Sequence, residues 1–200
     1  RDGNKNRFGG KVAAGTVVAK LILQGPLKKA VGENSGRSAF LLSGRTSYLD
    51  KSSKVFYSYV DSLGLPFAFT DLYAKLSFLG AKGSKISFFG FRFSDRVNYR
   101  HVADLEWNSG GFGSKFVLIP AGSSVLVEGH FAYSNYTIDM VEQDGLPRHS
   151  SIGRFNFGLD FSYDVYKDVF KYGVEINGFN TEFEYYNSVG LKYSEDKAST

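Results

Sequence analysis

The chain has 200 residues, enough for one domain, with 19 Phe, 13 Tyr, 4 Pro and no Cys. The absence of Cys excludes a disulfide framework, a thiolate metal site and a cysteine nucleophile. No run of about 18 apolar residues occurs, which excludes a transmembrane helix, but mean hydropathy of -0.21 is compatible with barrel strands that spend half their residues on a polar side. The net charge of +4 conceals an asymmetry: residues 1–54 hold 11 Lys/Arg and 3 Asp/Glu, while residues 55–200 hold 13 and 17. Nucleic-acid binding is one reading of a basic end, but charges in turns and on a lumen face are the preferred one, and no nucleic-acid partner is expected.

Taken in chain order, segments of period two alternate with turn signals, and no helical stripe stands out. The opening Arg1–Arg7 is not an export signal, so the expectation is a mature N-terminus or an excerpt of a longer chain. The first strand is expected at about 10–24, ending at Gly25-Pro26, where proline cannot continue a ladder. A charged turn spans 28–36. Strand 37–49 sets Phe40, Leu42 and Gly44 against Leu41, Ser43 and Arg45. Residues 50–66 read as a long loop. Strand 67–79 sets Leu72, Ala74, Leu76 and Phe78 against Asp71, Tyr73, Lys75 and Ser77. After a turn at 80–84, strand 85–95 changes phase at Phe88-Phe89, which predicts a β-bulge near Gly90.

A loop is expected at 96–106, then a strand over 107–119 with Phe112, Phe116 and Leu118 in phase. Strand 124–139 sets Val127, Phe131 and Tyr133 against Glu128, His130 and Ser134. Loop 141–150 precedes the clearest pattern in the chain, residues 151–165. Here Phe155, Phe157, Leu159, Phe161 and Tyr163 alternate with Arg154, Asn156, Gly158, Asp160 and Ser162. Such a strand has one apolar, aromatic face and one polar face. Lipid on one side and water on the other produces this pattern, as does a soluble sheet with one wet face. A turn at 166–169 leads to strand 170–184, and a further strand begins near Tyr185.

Two regularities favour the membrane. Connections alternate between long (50–66, 96–106, 141–150) and tight (80–84, 120–123, 166–169), as in barrels with short turns at one end and longer loops at the other. Tyr48, Trp107, Tyr133, Tyr136, Tyr163, Tyr166 and Tyr172 lie near strand ends, as aromatic girdles would. The fold expected is all-β: an antiparallel up-and-down meander of about eight or nine strands, part of a transmembrane β-barrel.

Chemistry-bearing groups are sparse. His101, His130 and His149 lie on separate segments without ligand spacing, so neither a metal nor a cofactor is expected. The pairs Asp104/Glu106 and Glu182/Glu184 each share a strand face, yet charged wall or loop positions explain them. Gly110-Gly111-Phe112-Gly113 opens no helix and is no phosphate loop. Asn135-Tyr136-Thr137 fits a glycosylation sequon by composition alone. The aromatics fall on one face of nearly every strand, not on a local platform, which argues against single-strand nucleic-acid binding. No catalytic constellation emerges, and the chain is not expected to be an enzyme.

Four blocks carry a likeness. Arg1-Asp2-Gly3-Asn4-Lys5-Asn6-Arg7-Phe8-Gly9-Gly10 resembles the plug-to-barrel junction of TonB-dependent outer-membrane receptors, in the branch related to SusC and RagA. Leu21-Ile22-Leu23-Gln24-Gly25-Pro26-Leu27-Lys28-Lys29 is similar to an early turn of that barrel. Phe40-Leu41-Leu42-Ser43-Gly44-Arg45-Thr46-Ser47-Tyr48-Leu49-Asp50 and Phe69-Thr70-Asp71-Leu72-Tyr73-Ala74-Lys75-Leu76 are similar to its following strands. Beyond about residue 110 the likeness is to barrel strands in general.

The resemblance implies a junction at 1–10 and a partial β-barrel domain at 11–200. It implies nutrient import across the bacterial outer membrane. The implied partners are outer-membrane lipid, a plug domain, the remaining barrel strands, the TonB energising complex and a surface lipoprotein. Family barrels have about 22 strands, a plug and a TonB-contacting box, which these residues do not supply. Under this reading Arg45, Lys75, Glu128, His130, Arg154, Asn156 and Asp160 face the lumen, and Phe155, Phe157, Leu159, Phe161 and Tyr163 face lipid. Two alternatives remain open: a small closed outer-membrane barrel acting as an anchor or adhesin, with contacts between 12–22 and 172–184, and a soluble β-barrel that binds an apolar ligand.

Overall fold

Period-two patterning over most of the chain leaves the backbone one economical way to satisfy its polar groups, a ladder between sequential strands. The computed structural model describes residues 2–29, 35–60, 62–100, 102–143, 145–187 and 189–200. His101 and the middle of the charged turn at 28–36 lie outside the described residues. Ten strands form one antiparallel sheet in chain order: β1 (Gly9–Ala14), β2 (Val18–Lys28), β3 (Arg37–Ser47), β4 (Phe67–Leu79), β5 (Lys85–Tyr99), β6 (Ala103–Leu118), β7 (Val125–Glu142), β8 (Pro147–Val165), β9 (Asp168–Tyr186) and β10 (Lys192–Ser199). The all-β meander is therefore as read from the sequence. It is an open sheet: β1 and β10 are its two edges, and no pairing between them closes it among the described residues. The small closed barrel is thereby excluded, since it requires that pairing.

Several local expectations are corrected. The single strand at 10–24 is a hairpin, β1 with β2, turning at Gly15, whose N–H donates to Val18 O at 2.9 Å. A turn of Gly-Thr-Val carries little of the usual turn chemistry, so the apolar alternation ran straight through it. Strand β2 does not stop at Gly25-Pro26. It pairs with β3 as far as Lys28, with an irregularity between Pro26 and Lys28. Pro26 is tolerated because β1 begins opposite Gln24, leaving that flank of β2 a local edge where no N–H is needed.

Within the expected loop 50–66, residues Leu49–Phe56 form helix α1. Eight residues are too few for a 3.6-residue stripe to show. Asp50 in its first turn and Lys54 in its last suit the helix dipole. The buried Ser53 Oγ accepts the Leu65 N–H at 2.8 Å and ties the return of the loop.

No bulge interrupts β5. It pairs without a register shift with β4 from Lys85 to Val97 and with β6 from Lys85 to Tyr99. Phe88 belongs to one face, and Phe89, Phe91 and Phe93 to the other. These rings occupy the space over facing glycines: a Cβ on Gly113 would lie 2.7 Å from the Phe89 ring, and one on Gly111 2.9 Å from Phe91. An aromatic lying over a cross-strand glycine packs the sheet without a bulge.

The expected loop alternation holds for the long connection at 50–66 and the tight turns near 80–84, 120–123 and 166–169, but fails at 96–106 and 141–150. Strands β5 and β6 extend until only residues 100–102 connect them, and β7 and β8 until only 143–146 do. Polar sequence there is paired strand, held by Arg96 Nη2–Asp104 Oδ2 and Asp139 Oδ1–His149 Nδ1, both at 2.6 Å. Polarity signalled solvent, not loop.

One sheet layer buries little. The accessible area is 13260 Å², whereas a globular monomer of 22.2 kDa exposes about 9,400 Å². Among the described residues, Ala39 and Val97 are the only buried apolar ones. The stabilising contacts of both faces must come from elsewhere.

Candidate functional site: a sheet with inverted faces

Residues directly opposite each other in an antiparallel ladder share a face, so the register sorts the whole sheet. One face carries Leu23, Leu42, Ala74, Gly90, Phe112, Tyr133, Phe155 and Gly178 on a single rung. Phe157, Leu159, Phe161 and Tyr163 extend this apolar face along β8. The other face carries Ser43, Tyr73, Phe91, Gly111, Ser134 and Arg154 on one rung. It also carries Arg45, Lys75, Glu128, His130, Asn156 and Asp160. All seven polar candidates thus share one face, and all five apolar ones share the opposite face.

Exposure along β4 is inverted relative to a water-soluble sheet, whereas on β8 Arg154 and Asp160 are exposed and Phe155, Phe157, Leu159 and Phe161 half-buried. On β4 the apolar-face side chains are the open ones: Leu72 is 52 % exposed and Leu76 40 %. The polar-face side chains of the same strand are sheltered: Lys75 is 17 % exposed, Asp71 20 %, and Ser77 is buried.

The apolar face forms a belt bounded by polar residues. Toward the α1 end it gives way to a rung of Thr46, Thr70, Ser94, Asn108, Thr137, Ser151 and Glu182. The belt is not parallel to the rungs. Phe78, its last residue on β4, shares a rung with Ile86, Phe116, Gly129 and Leu159, yet on β8 the belt continues four residues further, to Tyr163. At its other margin Leu72 shares a rung with Gly153, while on β8 the belt begins two residues lower, at Phe155. A drop of two to four residues at about 3.3 Å each, over four strand spacings of about 4.8 Å, is a slant of roughly 20–35°. Tyr133 and Tyr163 stand at the belt margins, and Tyr172 lies one rung inside, with Phe170 beyond it. Trp107 and Tyr136 point to the polar face instead, Tyr48 lies past the end of β3 with its hydroxyl donating to Gly15 O, and Tyr166 sits in the β8–β9 turn with φ of 53°, so the expected girdle is reduced to two residues of the seven.

The polar face resolves into three groups. On β8 and β9, Asn156 Nδ2 donates to Asn177 Oδ1 at 2.6 Å and to Glu175 Oε1 at 2.9 Å, and Arg154 Nη2 donates to Asn177 Oδ1 at 3.2 Å. Asn177 Nδ2 in turn donates to Glu175. His130 lies over Gly158 beside this network, and Glu128 stands directly opposite Asp160. Glu175 and Asn177 were not singled out in the sequence, although their alternation with Val174 and Ile176 carried the signal. This network offers donors and acceptors to an uncharged polar ligand or to water.

Arg45 lies apart. Its guanidinium pairs with Asp71, with Nε donating to Oδ2 at 2.7 Å, and sits 4.8 Å from the Phe69 ring.

Lys75 belongs to the third group, which the sequence did not reveal. Asp2 lies on the polar face with Oδ1 2.9 Å from Lys75 Nζ and Oδ2 2.7 Å from Lys85 Nζ. The buried Ser77 hydroxyl donates to Oδ1 at 3.3 Å, and Lys5 Nζ is 3.9 Å from Oδ2. Hydrogen bonds from Lys85 and then Lys75 hold the Asp2 carboxyl well below the usual carboxylate range, against a smaller opposing effect of burial. The following Gly3 rests against the Phe40 carbonyl, where a Cβ would collide with backbone. Asn4 Oδ1 then accepts the N–H groups of Asn6 and Arg7, turning the segment toward β1. Residues 2–7 are thus a strap pinned to the polar face, while Phe8 already packs over Gly25 and against Phe40 on the apolar face. Next to the pin a trough of about 650 Å³ runs along Tyr73, Phe89, Phe91 and Phe93, with Lys115 and Glu128 on its far side.

Compared with protein-family models, curated proteins and solved structures, the chain matches none of them.

Proposed function

We propose that the chain is a section of the wall of a transmembrane β-barrel in a bacterial outer membrane. The observation that carries this reading is the inverted exposure of β4, with leucines open and lysine, aspartate and serine sheltered. A soluble sheet folded around an apolar ligand requires the reverse, because its apolar face must be the sheltered one. The slanted belt supports the same reading, since a level membrane crosses strands tilted by about 35–45° as a band oblique to their rungs. The open edges β1 and β10 would be completed by further strands, as lipid cannot satisfy free backbone groups.

The four sequence blocks support a narrower proposal: a TonB-dependent importer of nutrients. Its plug would lie against the polar face, and the TonB energising complex and a surface lipoprotein would be its partners. The Arg154–Asn156–Asn177–Glu175 network and His130 would line the passage, with plug or water as their usual contacts.

The test is made on the full-length protein in native membranes. Single cysteines at Phe157 and Asn156 are challenged with a water-soluble maleimide and with a lipid-borne quencher of an attached fluorophore. The expected result is quenching at 157 and maleimide reaction at 156. Equal aqueous labelling at both positions, or recovery of the protein in the soluble fraction, refutes the membrane reading.

A further inference from the structure

The strap contact has the form of a ligand site filled from within. A single carboxylate, that of Asp2, takes two ammonium groups on adjacent strands and a buried serine hydroxyl, each on a different oxygen or sharing Oδ1. Lys75 and Ser77 are successive polar-face positions of β4, and Lys85 and Ser87 open the facing strand β5, so the sheet itself fixes the spacing of the donors. Three charge-assisted contacts converging on one anion make a preorganised anion cradle. The strap brings nothing comparable: Asn4 bonds only within its own turn, and Gly3 makes a backbone approach. Asp2 is the pin, and the rest of the strap follows it.

Beside the cradle the floor changes character. Phe89, Phe91 and Phe93 project from successive polar-face positions, with Phe91 and Phe93 stacked at 5.0 Å, and Tyr73 stands directly opposite Phe91. Lys75 and Lys85 line both the cradle and this trough. An anionic group placed where the Asp2 carboxylate now sits would project its remaining body along aromatic faces.

We propose that Lys75, Lys85 and Ser77 form an anion-binding site, kept closed by Asp2 of the strap and opened when a soluble carboxylate or phosphate carrying an apolar or aromatic body displaces it. Strap and ligand then exclude one another. Ligand binding frees residues 2–7 from the polar face, and an undocked strap raises affinity for the ligand. The proposal does not depend on the membrane reading, because strap and cradle belong to the described fold in any surroundings.

The full-length protein carries a spin label on a single cysteine at Asn6, an exposed position whose side chain makes none of the strap's contacts. The probes are phenyl phosphate, benzoate, inorganic phosphate and, for ionic strength, sodium chloride. The expected result is an immobilised label that phenyl phosphate and benzoate release, at roughly tenfold lower concentration than inorganic phosphate needs, since the ring gains contact with the aromatic floor. Asp2→Asn should free the label without any probe and tighten phenyl phosphate binding, read by calorimetry, roughly tenfold. Lys75→Gln with Lys85→Gln should free the label and abolish probe binding. Far-ultraviolet circular dichroism confirms that each variant keeps its sheet. Release that merely follows ionic strength, a label still immobilised in Asp2→Asn, or unchanged phenyl phosphate affinity in that variant overturns the proposal.

Discussion

Leu159 gives the sharpest energetic test of the belt. It lies at the middle of the β8 run from Phe155 to Tyr163, opposite Gly129 and Val174. Four residues separate it from each margin, about 13 Å along the strand and roughly 10 Å of depth once tilt is allowed for. An arginine there can raise its guanidinium by only part of that depth. The expected cost of Leu159→Arg is about 2–4 kcal/mol, whereas Tyr163→Arg at the margin should cost about 0–1 kcal/mol, with Phe161→Arg between them. Asp160→Arg, on the opposite face and facing Glu128, should cost less than Leu159→Arg although it is adjacent in sequence. The measurement is urea-driven unfolding of the full-length protein in phospholipid vesicles, monitored by tryptophan fluorescence. A flat series, with Leu159→Arg and Tyr163→Arg within about 0.5 kcal/mol of each other, would refute the assignment of this face to lipid, because a depth gradient belongs to a membrane alone.

Two further outcomes follow from local geometry. Gly113→Leu places a side chain against Phe131 O, 2.6 Å from the new Cβ, and against the Phe89 ring; overpacking of this kind should cost about 1–3 kcal/mol, seen as a lowered thermal midpoint, and the companion Phe89→Ala should recover part of the loss. For the strap, the folded Asp2 carboxyl is depressed, so its contribution is complete above the ordinary aspartate value of about 3.9 and is lost only as pH falls through the lower folded value. The groups facing it are Lys5, Lys75, Lys85 and the Ser77 hydroxyl. A label at Asn6 should remain immobilised from pH 7 to pH 4 and loosen only progressively as pH falls further toward the lower folded value; release between pH 7 and 5 would show that another group controls the strap.

The period-two signal carried the facing of every candidate side chain, because alternation is a local property of strands. Phe155 and Arg154 are assigned to opposite faces by their adjacency alone. The same signal misled at Phe89, Phe91 and Phe93, where aromatic rings stand on the otherwise polar face. Their partners, Gly111 and Gly113, lie on the next strand, and only the register brings them together. The hairpin at Gly15 and helix α1 escaped because each is shorter than the window in which its pattern would register. The Asp2 cradle was illegible for a different reason. It joins residues 75 positions apart through charge, and nothing near Asp2 in the sequence announces Lys75 or Ser77.

The brevity of the connections between β5 and β6 and between β7 and β8 has a consequence for any macromolecule that meets the α1 end. Beyond the polar rung the strands β5 to β8 continue as paired ladder, joined by residues 100–102 and 143–146. On β8, Pro147 stands eight residues past the belt, about 26 Å along the strand. A binding protein meeting this parapet would grip hydrogen-bonded sheet whose shape is already set, and would lose little entropy in ordering it. Proteases would meet the opposite situation, since an extended strand bound on both sides cannot enter a cleavage cleft. Their foothold would be the connection 48–66, which carries the short helix.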